Sequence, residues 1–270
     1  MKKLLSLCVA SAVLALSIPA KAAEPVVDDA VVAAVLQKLQ SSGALDKAVD
    51  EGIRRYTANQ ASERQRQQEE RARALQVMAQ KVPGAMTHEY IRGSAKARFT
   101  VVEYSDIECP FCKSYHNSVI EAMNTYPDKV NWVWRHFPLN FHNPMAKQEA
   151  VAAECAGKLG GPKAFWSSLD YMMANTKSNG QGVPGPNPYN AIANAAKVPV
   201  AGFVKCMSDD DSVLKKVEAD FESGQQYGVS GTPTTFVIDN KTKKVTAFAQ
   251  ALSPAGLVKK LDDIMKDAGE

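Results

Sequence analysis

Apolar positions recur at helical spacing in two blocks early in the chain. The first is Val31, Val35 and Leu39, the second Leu45, Ala48, Val49, Ile53 and Tyr56, with Ser41-Ser42-Gly43 between them. Three- and four-residue spacing places each block on one face of an amphipathic helix, and the Ser-Ser-Gly break separates the two. The run from Glu63 to Arg71 is almost wholly polar, which predicts a solvated helical stalk rather than a helix laid on a core. Short helices with so little apolar surface are marginal in water by themselves. They either pack back on the rest of the chain or associate with the same segment of other copies. Pro83-Gly84 ends this region.

From Arg98 the pattern changes. Phe99 to Tyr104 is rich in β-branched and aromatic residues and reads as a buried strand. A helical stretch through Val119, Ile120 and Met123 follows, then a second strand, Val130 to Arg135, which together make a β-α-β unit. Helical patterns then cover Ala146–Leu159, Ala164–Met173, Tyr189–Ala196 and Val213–Tyr227, with a Gly/Pro-rich loop from Gly180 to Pro188. Strand signals return at Thr234–Ile238 and Val245–Phe248 around a turn at Asp239-Asn240-Lys241, and a last helix spans about Pro254–Lys266 with Ser253 as its N-cap. No repeat of solenoid period occurs.

Composition narrows the function classes. The 270 residues are 45% hydrophobic and 23% charged, a chain that folds. The net charge of +3 is spread among interspersed acids and bases, so nothing suggests a nucleic-acid partner. Met1-Lys2-Lys3, the apolar run Leu4–Ile18 and the small-x-small site Ala20-Lys21-Ala22 read as a signal peptide over residues 1–22, cut near Ala22. The apolar run is shorter than the roughly 20 residues that cross a bilayer. The leader looks bacterial, which implies the periplasm, and Cys8 leaves with it. Cys109, Cys112, Cys155 and Cys206 remain, an even number in an oxidising compartment, where disulfides persist.

Cys109-Pro110-Phe111-Cys112 stands where a strand hands over to a helix. A helix N-terminus presents unpaired N–H groups and the positive end of its dipole, and both favour a thiolate on the first cysteine. Cys109 is then the nucleophile, and Cys112, one turn inward, resolves the mixed disulfide. Pro110 is harmless in the first turn, where its missing N–H would have no partner. The competing reading, half of a zinc site, lacks a second ligand pair at the required spacing, and His116 reads as a surface residue, so no metal is assigned.

A second motif, Gly231-Thr232-Pro233-Thr234, precedes the returning strand, where proline marks a strand start or a cis bond. A strand, CPFC, a helix, a helical insertion, Gly-Thr-Pro-Thr, a hairpin and a final helix resemble the thioredoxin fold of the DsbA-like thiol-disulfide oxidoreductases, from about Tyr90 to the C-terminus. The resemblance implies an α/β fold with a helical insertion, preceded by an α-helical oligomerisation segment. It divides the chain into a signal peptide (1–22), helical segment and stalk (23–82) and catalytic domain (83–270, insertion about 143–227). It further implies Cys109 as attacking thiolate, Cys112 as resolving cysteine, Pro233 as a cis-proline beside them and Thr232 against the client backbone. Pro110 and Phe111 would also meet the client. Glu103 matches the family's buried acid that helps move the Cys112 proton, against the alternative of a strand-end carboxylate in water. Glu108 reads as surface, its charge opposing the thiolate, and Tyr115 as a flank of the client groove.

The same resemblance makes Cys155–Cys206 a structural disulfide closing a loop of about 50 residues, worth about 2–4 kcal/mol; two buried free thiols are the alternative. Phe111 stands where strongly oxidising members carry His, and Thr232 is the choice of isomerase and reductase branches. With the helical segment, these point to isomerases of the DsbC, DsbG and ScsC kind. The implied activity is a periplasmic disulfide isomerase acting on exported clients, oligomeric through residues 23–82 and kept reduced by a membrane partner of the DsbD kind. No cofactor is needed beyond the Cys109–Cys112 couple. The alternatives are a DsbA-like dithiol oxidase served by a partner of the DsbB kind, and a copper-handling or chaperone-like binder. Trp132, Trp134 and Trp166 read as core, and His88, His136 and His142 are assigned no chemistry.

Overall fold

The computed structural model describes residues 28–84 and 89–270, so the leader and His88 lie outside the described residues. The chain divides into two compact units, the first ending at Glu63 and the second covering Arg64–Glu270.

In the first unit, helix α1 (Asp29–Ser41) starts at Asp28, whose carboxylate accepts from Ala30 N. It stops where Gly43 takes a positive φ of 65°, a conformation that costs glycine little. Helix α2 (Ala44–Ala79) follows and continues through the polar run without interruption for 36 residues. No residue of α1 is buried. Val31, Val35, Leu36, Leu39, Leu45, Val49, Ile53 and Tyr56 remain 40–66% exposed, an apolar stripe that no described residue covers.

Leu75, Ala79 and Val82 are buried with Val102, Tyr104, Phe236 and Val245 of the second unit, so the last turns of α2 belong to its core. The three residues sit at helical spacing, but the exposed apolar Val77 and Met78 between them blur the stripe in the sequence pattern.

The second unit is built on a five-stranded sheet of order β1-β3-β2-β4-β5. The strands are β1 (Ile91–Arg92), β2 (Phe99–Ser105), β3 (Val130–His136), β4 (Thr234–Asp239) and β5 (Val245–Phe248). β2 and β3 are parallel, joined across helix α3 (Pro110–Thr125), and the other neighbours are antiparallel. Every residue of β2, β3 and β4 is buried, as covering both sheet faces requires. Val101, Trp132 and Trp134 face one core, with α3 and helix α8 (Pro254–Asp267). Val102, Tyr104 and Val133 face the other, with the end of α2. On that second face Arg135 is buried and donates from Nε to Glu89 Oε1 at 2.6 Å.

The insertion comprises α4 (Met145–Asn175), α5 (Pro188–Ala196), α6 (Val200–Asp209) and α7 (Asp211–Gln226). Helix α4 breaks at Gly161, φ +73°, just before Pro162, which accounts for two helices in the sequence pattern. Cys155 on α4 and Cys206 on α6 form a disulfide with Cα atoms 5.8 Å apart. Beside it, Lys216 Nζ sits 2.7 Å from Glu154 and 3.5 Å from Asp220. With His136 those two acids could group around a metal, but the lysine ammonium already supplies the cation. Two of the histidines without assigned chemistry, His136 and His142, are buried beside acids: His136 is paired with Glu154 and His142 with Asp106.

Candidate active site

β2 runs out at Ser105, and the turn Asp106-Ile107-Glu108 delivers Cys109 as the N-cap of α3 with Pro110 in the first turn. Asp106 holds that turn together. Its carboxylate accepts from Glu108 N (2.8 Å) and Leu139 N (3.0 Å) and meets His142 Nδ1 at 2.7 Å. Glu108, expected at the surface, is fully buried. Its carboxylate accepts from Thr176 Oγ1 and from Gly182 N (2.9 Å), and its carbonyl accepts from Asn179 N (2.8 Å). The insertion loop thus grips the residue before the nucleophile, a contact across 74 residues that local pattern cannot reveal. Glu149 packs against the same carboxyl, and burial together with Glu108's charge pushes its own up to about 9.

Cys109 and Cys112 are both free thiols and both buried. Cys109 Sγ lies 3.6 Å from Thr232 O, and the Thr232–Pro233 peptide is cis. The structure therefore brings together Cys109, Pro110, Phe111, Cys112, Thr232 and Pro233. The Cys109 thiol is pulled down to about 6, chiefly by the hydrogen bond from Cys112 and further by the Thr232 side chain and the N–H groups of Cys112 and Phe111. Cys112 moves the other way, because burial and the thiolate beside it disfavour a second charge. One attacking thiolate and one protonated resolving thiol follow at neutral pH.

Glu103 lies on β2 opposite Trp134 and Thr235 and is 0% exposed, which removes the reading of a carboxylate in water. Burial pushes its carboxyl up to about 8, opposed only in part by Ser105 and Trp132, and among the described residues neither carboxyl oxygen reaches hydrogen-bond geometry with a partner. Its charge contributes to the rise at Cys112, so the two groups compete for one proton. Tyr115 does not flank a groove. It is fully buried, and its hydroxyl accepts from Thr235 Oγ1 at 3.0 Å. His116 is likewise buried rather than surface, 2.7 Å from Asp170.

Phe111 stands 67% exposed at the mouth of a groove of about 620 Å³. Thr232, Pro233 and Phe248 line one part of it and Arg71 and Leu75 of α2 another. Sequence reasoning missed both Asp106 and this contribution of α2. An aspartate after a strand and an arginine in a polar run carry no distinguishing signal.

Residues 85–263 match a family model described as thioredoxin. DsbA2 of Pseudomonas aeruginosa is 33% identical with a TM-score of 0.59, covering 69% of this chain and 100% of that one. BdbD of Bacillus subtilis (19% identity, TM-score 0.57, 68% and 96% covered) and a linker-deletion mutant of Proteus mirabilis ScsC (20%, 0.54, 78% and 93%) share the fold. Among curated proteins, the Na(+)/H(+) antiporter NhaA 1 of Salinispora arenicola is 34% identical over 156 residues, 58% of this chain. The chain spans only 22% of that antiporter's length, and among the described residues no helix is long and apolar enough to cross a membrane. With its paired thiols at a helix N-terminus, its cis Thr232–Pro233 and these likenesses, the chain belongs to the thioredoxin family, among the DsbA-like thiol-disulfide oxidoreductases.

Proposed function

We propose that the protein is a periplasmic protein disulfide isomerase, oligomeric through its N-terminal helices and acting on exported clients. The observation that carries the reading is the uncovered apolar stripe from Val31 to Tyr56. Exposed apolar side chains in such a stripe are unfavourable in water, and a second copy of the same segment is a self-complementary cover for them. Oligomerisation would hold several catalytic units around one client and keep an oxidising membrane partner from their thiols.

The chemistry uses only the chain's own sulfurs. Cys109 thiolate attacks one sulfur of a client disulfide, forming a mixed disulfide and releasing the other client sulfur as thiolate. That thiolate attacks another disulfide of the client, and the client thiolate freed there attacks the mixed disulfide and expels Cys109. The client is rearranged with no net change in oxidation. If Cys112 attacks the mixed disulfide first, the client leaves reduced and the Cys109–Cys112 disulfide forms. A membrane reductase of the DsbD kind would then restore the dithiol.

A dithiol oxidase re-oxidised by a partner of the DsbB kind is the second reading, favoured by the 33% identity to DsbA2. Refolding of a scrambled client in glutathione buffer, with the mass in solution measured by light scattering, separates the two. Reactivation by an oligomer supports the isomerase. Rapid oxidation of a reduced peptide by a monomer that cannot unscramble the client supports the oxidase.

A further inference from the structure

The outer edge of β5 is closed by side chains of α2. Gln76 donates from Nε2 to Val245 O (2.7 Å) and accepts at Oε1 from Ala247 N (2.9 Å). Its carboxamide makes the two hydrogen bonds that a further strand would make there, and Gln80 Nε2 adds a bond to Val245 O at 2.9 Å. Client binding by strand addition to this edge is thereby blocked. The same contact fixes the rotation of α2. With Leu75, Gln76 and Ala79 turned to the sheet, Gln68, Arg71 and Ala72 come round, one and two turns earlier, to wall the groove beside Phe111 and Thr232.

The groove is one-sided in charge. Arg71 and Lys260 line it, and among the described residues no carboxylate does. Arg71 is exposed, and among the described residues neither cation forms an ion pair. Around them Leu75, Phe111, Pro233 and Phe248 supply apolar surface. An extended segment laid there meets apolar walls and two cations, and the same groove is lined by Thr232, whose carbonyl oxygen lies 3.6 Å from Cys109 Sγ.

We propose that the end of α2 is a wall of the client groove, and that Arg71 with Lys260 selects client segments carrying an acidic side chain next to the cysteine under attack. This specificity rests on the thiol-disulfide exchange proposed above. Exposed charge contacts are modest, so each cation should change a rate by about two- to five-fold, screened by salt.

The test uses the full mature chain carrying Cys112→Ser, so that the mixed disulfide accumulates. Three peptides are identical except for Glu, Gln or Lys beside a single cysteine, which is held as its mixed disulfide with 2-mercaptoethanol. Cys109 thiolate attacks the peptide sulfur, the Cys109–peptide disulfide forms, the old disulfide breaks, and 2-mercaptoethanol leaves as thiolate and takes a proton from water. Mass spectrometry follows the adduct, and each rate is divided by that of dithiothreitol with the same peptide, which cancels the peptides' intrinsic reactivity. The expected order is Glu, Gln, Lys, spanning roughly ten-fold at low salt and shrinking in high salt. Arg71→Glu should bring the Glu-to-Lys ratio close to one, with an unchanged unfolding temperature as the folding control, and Lys260→Glu should do the same. Equal normalised rates for the three peptides, or a ratio untouched in both variants, overturns the charge selection while leaving exchange intact. Absence of adduct with every peptide overturns the exchange reading and this inference with it.

Discussion

The sulfur of Cys109 stands 3.6 Å from the carbonyl oxygen of Thr232, 123 residues further along the chain. The contact joins the start of α3 to the cis Thr232–Pro233 segment that leads into β4, and it sets the reactive sulfur against Thr232, which with Pro233 and Phe111 lines the groove. The nucleophile and the surface that would receive its substrate are thus one unit.

The ionisation of Cys109 sets the first prediction. Its thiol is lowered to about 6, whereas an unfolded cysteine ionises near pH ~8.5. A depressed acid stabilises the fold at higher pH, so the reduced form should gain on the oxidised form as pH rises from about 6 to ~8.5 and lose that advantage as pH falls through 6. Iodoacetamide alkylation of reduced Cys109 should rise through the same pH. An alkylation midpoint near that of a free cysteine would refute this account.

Glu103 behaves in the opposite sense. Its carboxyl is raised to about 8 by burial, so its protonated form suits the fold and its ionised form opposes it. The stability it allows is present below ~4.3, the ordinary glutamate value, and is lost as pH rises through about 8. Glu103→Gln should match the parent's unfolding temperature at pH 5 and exceed it at pH 8.5 by several degrees. It should also slow attack by Cys112 on a mixed disulfide at neutral pH, because glutamine cannot accept the Cys112 proton. Equal stability at both pH values would place Glu103 in contact with water.

The disulfide between α4 and α6 should be structural. Cys155→Ala with Cys206→Ala is expected to lower unfolding stability by about 2–4 kcal/mol, as loss of a cross-link over 51 residues implies. Denaturant unfolding measures it. Alkylation of Cys109 should be unaffected, and a large change in its rate would indicate coupling between the two sulfur pairs.

Oligomerisation should fail when the exposed stripe is charged. Val49→Glu with Ile53→Glu changes residues that are 51% and 56% exposed and so leaves the chain folded. Light scattering should report a monomer, and reactivation of a scrambled client should fall while oxidation of a reduced peptide persists. Leu75→Ala, further along the same helix, should instead cost about 2–5 kcal/mol, because Leu75 is only 6% exposed.

Much of this protein was legible along the chain because its signals are local. The Cys-x-x-Cys at a strand-to-helix junction, the Ser253 cap, the strand at Phe99 and the two amphipathic blocks each depend on residues a few positions apart. β1 escaped notice because two residues cannot display a period. Helix α6 has no counterpart in the periodic pattern, since its ten residues make too few turns to stand out.

What the tertiary structure decided is the environment of residues whose chemistry has two meanings. A glutamate beside Cys109 can lie in water or be clamped by a loop from the insertion, and only the fold joins Glu108 to Gly182. A polar helix can be a free stalk or a wall of the groove, and Gln76 resolves this by bonding to Val245 and Ala247, about 170 residues away. Local pattern determines which elements form, because helix and strand periods are short-range properties of the chain. Burial, proton affinity and shared surfaces come from contacts between distant segments, and those exist only once the chain has packed.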